Sequence, residues 1–297
     1  MTSEAQSVLL FFIDGLGIGA RNSHNPLNGL EDAEPLAIFP GEEPPTYLDG
    51  IVVQTDACLG VDGRPQSASG QTTILTGINA PARLGYHKQG FPNAEMREII
   101  SQHSVFLQLS REEIGPLTFA NAYTKWFFEE RPRWVSATTA AVQAADLPFR
   151  TVADLNAGRA VYQDFTNAVL IQRGEDVRPR SVEEAADILG RLSAEHRFTL
   201  YEYFITDKIG HAQDMEAARL VLRRLAHLIR ELLDRIDLHQ TSVILTSDHG
   251  NIEDLSSRNH TLNAVPTIVW GANRDQIAKR IRDLADITPA IVDTLSL

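Results

Sequence analysis

The sequence predicts an α/β protein built on a doubly wound, mostly parallel sheet. Three observations carry that expectation. Short apolar runs such as "VLLFFI" (8–13) and "VILTS" (243–247) break abruptly into polar or glycine-rich turns, the pattern of strands buried on both faces. Helical patterns alternate with these runs along the chain. Asp14, Asp207, and the pair Asp248 and His249 each follow such a run, at the carboxyl end of a strand where open α/β sheets bind ligands.

Taken in order, "SVLLFFIDGLGIG" reads as a first buried strand with Asp14 at its tip. Residues 26–45, rich in Pro, Gly and Glu, read as a surface loop. A second short strand is expected near 51–55, followed by a helix in "SGQTTILTG" whose first turn follows Ser67. From residue 85 the pattern changes to one helix at 93–103 and then short mixed segments. Residues 85–179 are therefore expected to form a small inserted cap, between two parts of a core at 1–84 and 180–297.

The core resumes with a helix opened by Ser181, with Glu184 three residues on in capping-box spacing, and then the strand "RFTLYEYFIT". In "MEAARLVLRRLAHLIRELLDRI", Leu220, Leu225, Leu228, Ile229 and Leu232 predict one apolar face of a long helix, with solvated arginines opposite. After "SVILTSDHG" come the strand "AVPTIVWG" and a terminal helix in "DITPAIVDTLSL".

At 297 residues the chain exceeds a usual single domain, and its 43% hydrophobic and 22% charged residues are ordinary for a globular protein that folds throughout. A formal charge of −12 opposes binding to polyanions, so nucleic acid is not an expected partner and any phosphate must be held by local cations or metals. The one cysteine, Cys58, excludes an intramolecular disulfide and a multi-cysteine metal cluster, and reads as a buried structural thiol. "MTSEAQ" carries no basic segment, and no stretch approaches the length of a membrane span. A cytoplasmic protein with no membrane partner is expected.

His211 follows Asp207 by four residues in "DKIGH", which on a helix sets both on one face. His260, in "RNHTLNAVP", precedes the next strand and can reach the same edge. Taken singly, each Asp reads as a helix cap and each His as a hydrogen-bonded structural residue; three strand ends furnished alike point to a site. Three Asp and three His offer mixed oxygen and nitrogen ligation, which suits Zn²⁺ or Mn²⁺ better than soft metals or Ca²⁺, with two ions the natural count. In "RPQSASGQTTILTG", small hydroxylic residues precede a helix whose N-terminus can hold phosphate while a metal deprotonates a serine. Spacing leaves Ser67 and Ser69 competing for that role.

These motifs resemble the alkaline phosphatase superfamily, and within it the cofactor-independent phosphoglycerate mutases and phosphopentomutases. "DKIGH" is similar to that branch's Asp-Met-Val-Gly-His, "SDHGNIE" to its Asp-His-Gly-Asn-x-Glu, and "HTLNAVP" to its His-Thr-x-Asn-x-Val-Pro. "DGLGIG" resembles its first metal aspartate segment, "SASG" its nucleophile segment, and "LADITPAIVDTL" its C-terminal helix. "GFPNAEM" is similar to the phosphopentomutase segment that leads into its cap. The middle of the chain has no match.

The resemblance implies an alkaline phosphatase-like core with one metal on Asp14, Ser67, Asp248 and His249 and a second on Asp207, His211 and His260. Two divalent ions are implied, Mn²⁺ first and Zn²⁺ as the alternative. Ser67 becomes the nucleophile, and the implied reaction is phosphoryl transfer from a small phosphorylated metabolite through a phosphoserine. Where the family carries Gly-His after the nucleophile, this chain has Gly70 and Gln71, and the expected cap is much shorter than in the phosphoglycerate mutases. Arg64, Arg83, His87 and Lys88 flank the nucleophile segment as candidate substrate contacts. A phosphomutase is expected slightly ahead of a phosphatase, with a non-catalytic metal-binding homologue third. The sulfatase motif, which needs Pro and Arg two and four residues after the modified residue, is absent: Ala68 and Ser69 follow Ser67, and Gln71 stands at the fourth position.

Overall fold

A computed structural model describes residues 7–130 and 132–296. Its strands in chain order are β1 (Ser7–Ile13), β2 (Ile51–Thr55), β3 (Leu117–Phe119), β4 (Ala122–Tyr123), β5 (Arg150–Thr151), β6 (Phe198–Tyr203), β7 (Thr241–Ser247) and β8 (Val265–Gly271). Six of them form one sheet in the order β2-β8-β7-β1-β6-β3. β1 pairs in parallel with β6 and β7, β3 pairs in parallel with β6, and β8 runs antiparallel to β7 and β2. The mostly parallel, doubly wound sheet expected from the sequence is the one observed.

The buried run of β1 explains why both faces are covered. Successive side chains point to opposite faces. Leu9, Phe11 and Ile13 enter one core, while Val8, Leu10 and Phe12 enter the other. The first core lies under the helices Val182–Glu195 and Met215–Leu233, the second under Ser67–Thr76, Val105–Arg111, Ala137–Ala144 and Ile287–Leu295. Ser181 and Glu184 form the capping box expected of them. Because β6, β1 and β7 are adjacent and parallel, their carboxyl ends meet at one edge.

Four expectations need correction. Residues 26–45 are not simply a surface loop: Leu27, Leu30, Ala33, Leu36, Ile38 and Phe39 are buried in the first core between the turn residues. Two arginines of the long helix are not merely solvated, since Arg219 donates to the Asn28 carbonyl and Arg230 to those of Asp32 and Glu34, fastening that loop. Leu220 on the same helix is 44% exposed, whereas Leu225, Leu228, Ile229 and Leu232 are buried. Cys58 is only partly buried, though burial followed by the charge of Asp56 pushes its thiol upward.

The segment 85–179 is not set apart along its whole length. Ile100, Val105, Phe106, Leu109, Phe119, Ala137, Ala141 and Val142 pack into the second core, and β3 extends the main sheet beside β6. What stands apart is smaller: the two-stranded ribbon of β4 and β5, the short helices Val152–Asn156 and Ala168–Gln172, and an apolar cluster of Ala122, Leu155, Ala160, Tyr162 and Leu170. Apolar residues facing the sheet drew the rest inward.

Candidate metal centre

Asp14 continues directly from β1, and Asp248 and His249 directly from β7. Asp207 sits differently from expectation. β6 ends at Tyr203, and the chain turns into the helix Ile205–Ala212, whose first turn carries Asp207 and whose last carries His211. The helical spacing holds, and the His211 Nε2 lies 3.3 Å from the Asp207 carboxylate. Gly15, at φ +79°, makes the turn after Asp14 possible; a Cβ there would come within 2.9 Å of the Asp207 side chain.

All seven residues of the sequence-derived set converge. Ser67 Oγ is 3.0 Å from His249 Nε2, which lies 3.2 Å from Asp14 Oδ1 and 3.6 Å from Asp248 Oδ2. His260 Nε2 lies 3.4 Å from Asp207 Oδ1 and 3.3 Å from His211 Nε2. Asp207, His211 and His260 bring ligand atoms within 4.8 Å of one another, as do Asp14, Asp207 and His249, so Asp207 belongs to both groups. Except for His211 and Ser67, these side chains are largely buried.

The imidazoles are oriented for a cation. His211 Nδ1 faces the Arg258 carbonyl at 2.6 Å and His260 Nδ1 the Pro65 carbonyl at 2.9 Å. A carbonyl only accepts, so each Nδ1 carries a proton, and each Nε2 is the atom turned toward the carboxylates. His249 Nδ1 leans the same way toward the Gly250 carbonyl at 3.4 Å. Asp14 Oδ1 is buried without a hydrogen-bond partner. A buried, unpartnered carboxylate oxygen beside three inward-facing imidazole nitrogens fits a divalent cation bound by mixed oxygen and nitrogen donors.

Electrostatics agree. Burial, then the charge of Asp14, pushes the Asp248 carboxyl well above its usual range. Burial works against a proton on His249, but the carboxylates of Asp248, Asp14 and Asp207 overcome it and raise the imidazole to about 10. Burial alone would also raise Asp207; the His260 hydrogen bond, the His249 charge and Asn251 hold it at about 2. Asn251 donates to Asp207 Oδ1 at 2.6 Å. The carboxylates crowded here thus hold positive charge on His249 against its burial.

The two serines part company. Ser67 faces His249, whereas Ser69 is fully buried, donates to the Gln66 carbonyl and accepts from the Lys88 amide. A cavity of about 600 Å³ opens in front of Ser67, Asp207, His211 and His260. Arg64 lines it. Arg83, His87 and Lys88 do not: His87 binds the Val61 carbonyl, and Lys88 holds the serine helix through its backbone rather than its charge. Arg258 and Asn259, across the mouth, were missed in the sequence reading; their position two and one residues before His260 was the available signal.

The fold is alkaline phosphatase-like, with a candidate metal centre at one edge of its sheet. The Metalloenzyme superfamily model matches residues 138–297, more than half of the chain, and the chain belongs to that family. It is 28% identical over 156 residues to the 2,3-bisphosphoglycerate-independent phosphoglycerate mutase of Francisella tularensis subsp. tularensis (strain WY96-3418), an alignment covering 48% of this chain and 30% of that one. With the corresponding mutase of Dinoroseobacter shibae it shares 29% over 131 residues, 41% of this chain and 26% of the relative. The chain therefore spans about a third or less of the length of these relatives.

Among solved structures, the PH0037 protein of Pyrococcus horikoshii superposes with a TM-score of 0.57 at 13% identity over 98% of both chains. The alkaline phosphatase of the Antarctic bacterium TAB5 gives 0.56 at 13%, again over 98% of both. Leishmania mexicana phosphoglycerate mutase gives 0.52 at 12%, over 100% of this chain and 97% of that one. These likenesses establish the fold. Among the described residues, no helix is long and apolar enough to cross a membrane.

Proposed function

We propose that the chain is a two-metal phosphoryl-transfer enzyme acting on a small phosphate monoester, with Ser67 as nucleophile and a phosphoserine intermediate. The observation that carries this reading is the placement of Ser67 Oγ, 3.0 Å from His249 Nε2, at the edge of the cluster and open to the cavity. Asp14, Ser67, Asp248 and His249 are assigned to one divalent ion, and Asp207, His211 and His260 to the other, Mn²⁺ before Zn²⁺. Bound there, the ions would lower the proton affinity of the serine and neutralise charge on the transferred phosphoryl group.

In the first step Ser67 Oγ, its proton released to solvent, forms a bond to phosphorus while the ester P–O bond breaks, and the departing oxygen takes up a proton from solvent at the open mouth of the cavity. Arg64 and Arg258 frame the mouth and hold the anionic ester in line. In the second step the phosphoryl group leaves Ser67 for another hydroxyl of the same substrate in a mutase, or for water in a phosphatase.

Similarity to the phosphoglycerate mutases favours the mutase. One observation favours hydrolysis. Among the described residues of 85–179 only Gln89 and Gly90 line the cavity, and the His211 side chain is 45% exposed, so water has access to the site. A screen of phosphate monoesters with Mn²⁺ and Zn²⁺ that follows both products decides between them. Isomeric ester formed faster than free phosphate supports a mutase; phosphate without isomer supports a phosphatase; no turnover of any ester by metal-loaded protein contradicts both.

A further inference from the structure

Gln71 lies one helical turn after Ser67 on the helix Ser67–Thr76, so the two side chains leave the same face. Its side-chain nitrogen lies 3.1 Å from Asp14 Oδ2 and 3.1 Å from Asp248 Oδ2. Carboxylates only accept, which places the NH₂ end rather than the carbonyl end between them. That end has two hydrogens, one for each carboxylate. Gln71 and Asp248 are more than nine-tenths buried, and the Asp14 side chain is 12% exposed.

The contact sorts the carboxylate oxygens. With both Oδ2 atoms taken by the amide, Asp14 keeps an unpartnered Oδ1, and Asp248 keeps an Oδ1 that accepts a 3.3 Å bond from the Gly15 amide. The residue before the glutamine is equally constrained. A Cβ on Gly70 would lie 2.9 Å from the Asp248 carbonyl oxygen and 3.0 Å from its Cβ, so the helix sits directly on the end of β7. Two carboxylates from adjacent strands and the helix that carries Ser67 are thus joined through one neutral group.

We propose that Gln71 is a positioning residue: it presents Asp14 and Asp248 to the cation through one oxygen each and keys the Ser67 helix to that ion. The proposal rests on the reading that these two carboxylates hold a metal. A neutral donor suits the task, because it relieves repulsion between the carboxylates without adding a charge that competes with the ion. Groups that orient ligands in this way typically set metal affinity by roughly 10- to 100-fold.

The test is a calorimetric titration of metal-stripped protein with Mn²⁺, and separately Zn²⁺, for the wild type, Gln71→Leu, Gln71→Asn and Asp248→Ala. Gln71→Leu is expected to weaken by roughly 10-fold or more the site that Asp248→Ala abolishes, and to leave the other within about twofold. Gln71→Asn, one methylene too short to span both carboxylates, is expected to fall between, and it carries the comparison if the leucine variant does not fold. Unchanged affinity at both sites in either folded variant, while Asp248→Ala still empties one, overturns the positioning role. Full occupancy in Asp248→Ala overturns the metal assignment itself, and the role of Gln71 with it.

Discussion

The imidazole of His249 lies flat against that of His260, with ring centroids 3.6 Å apart and planes 13° apart, although the two rings come from different loops. His249 addresses Asp14 and Asp248 while His260 addresses Asp207, so the stacked rings form a shared wall between the two halves of the cluster.

One consequence concerns protons. The surrounding carboxylates raise His249 to about 10 against the opposing effect of burial, so below that pH the ring holds a proton that a metal must displace. Metal affinity is therefore expected to rise with pH between about 6 and 9, with roughly one proton released per ion at the Asp14 and Asp248 site. Calorimetry in buffers of different ionisation enthalpy measures the release. Heats that do not depend on the buffer contradict the protonation assigned to His249.

The second prediction separates the serines. Ser67→Ala is expected to abolish turnover while leaving the fold and most metal binding intact. Ser69→Ala removes a buried hydroxyl that ties the helix start to the Lys88 amide, and is expected to lower stability by about 1 kcal/mol while retaining substantial activity. Kinetics and thermal melts on both variants supply the comparison. An essential Ser69 with a dispensable Ser67 would shift the nucleophile by two residues.

Glu253 supplies a third. Its buried carboxylate accepts from the amides of Gly17 and Asn251, the Thr261 hydroxyl and the Asn263 side chain, tying together the three loops that carry Asp14, His249 and His260. Glu253→Ala leaves these donors unpaired, and a loss of roughly 3–5 kcal/mol is expected, with metal binding weakened at both sites. Denaturant unfolding and metal titration check it together. A loss below 1 kcal/mol would show that the loops are held by something else.

A fourth prediction turns on the long helix. Leu225 is fully buried in the first core and Leu220 is 44% exposed, so Leu225→Ala is expected to lose about 2–5 kcal/mol and Leu220→Ala less than about 0.5. Similar losses in both variants would contradict the orientation of that helix.

Much of the site was legible because its residues sit at positions where local pattern and chemistry coincide. Asp14, Asp248 and His249 end apolar strands, and the interval between Asp207 and His211 is one helical turn. Gln71 was legible as a departure from a family motif, but its bridging contact depends on two strands whose carboxylates are 234 positions apart in sequence. The candidate contacts Arg83, His87 and Lys88 were chosen for proximity along the chain, which says nothing about which way an exposed cation points. β3 is only three residues long, too short for a period-two pattern, so its place in the main sheet and the inward packing of its neighbours could not be read locally. The buried side chains of residues 26–45 lie between turn residues with no regular period, and hydrophobic periodicity cannot find them.

The most direct test of the two-metal reading is metal content after reconstitution with Mn²⁺ or Zn²⁺. The wild type should carry close to two equivalents. Asp207→Ala and Asp248→Ala should each retain about one, the first losing mainly the ion assigned to His211 and His260 and the second the ion assigned to Asp14 and His249. A stoichiometry near zero in folded, reconstituted wild-type protein would contradict the metal assignment, and with it the phosphoryl-transfer chemistry built upon it.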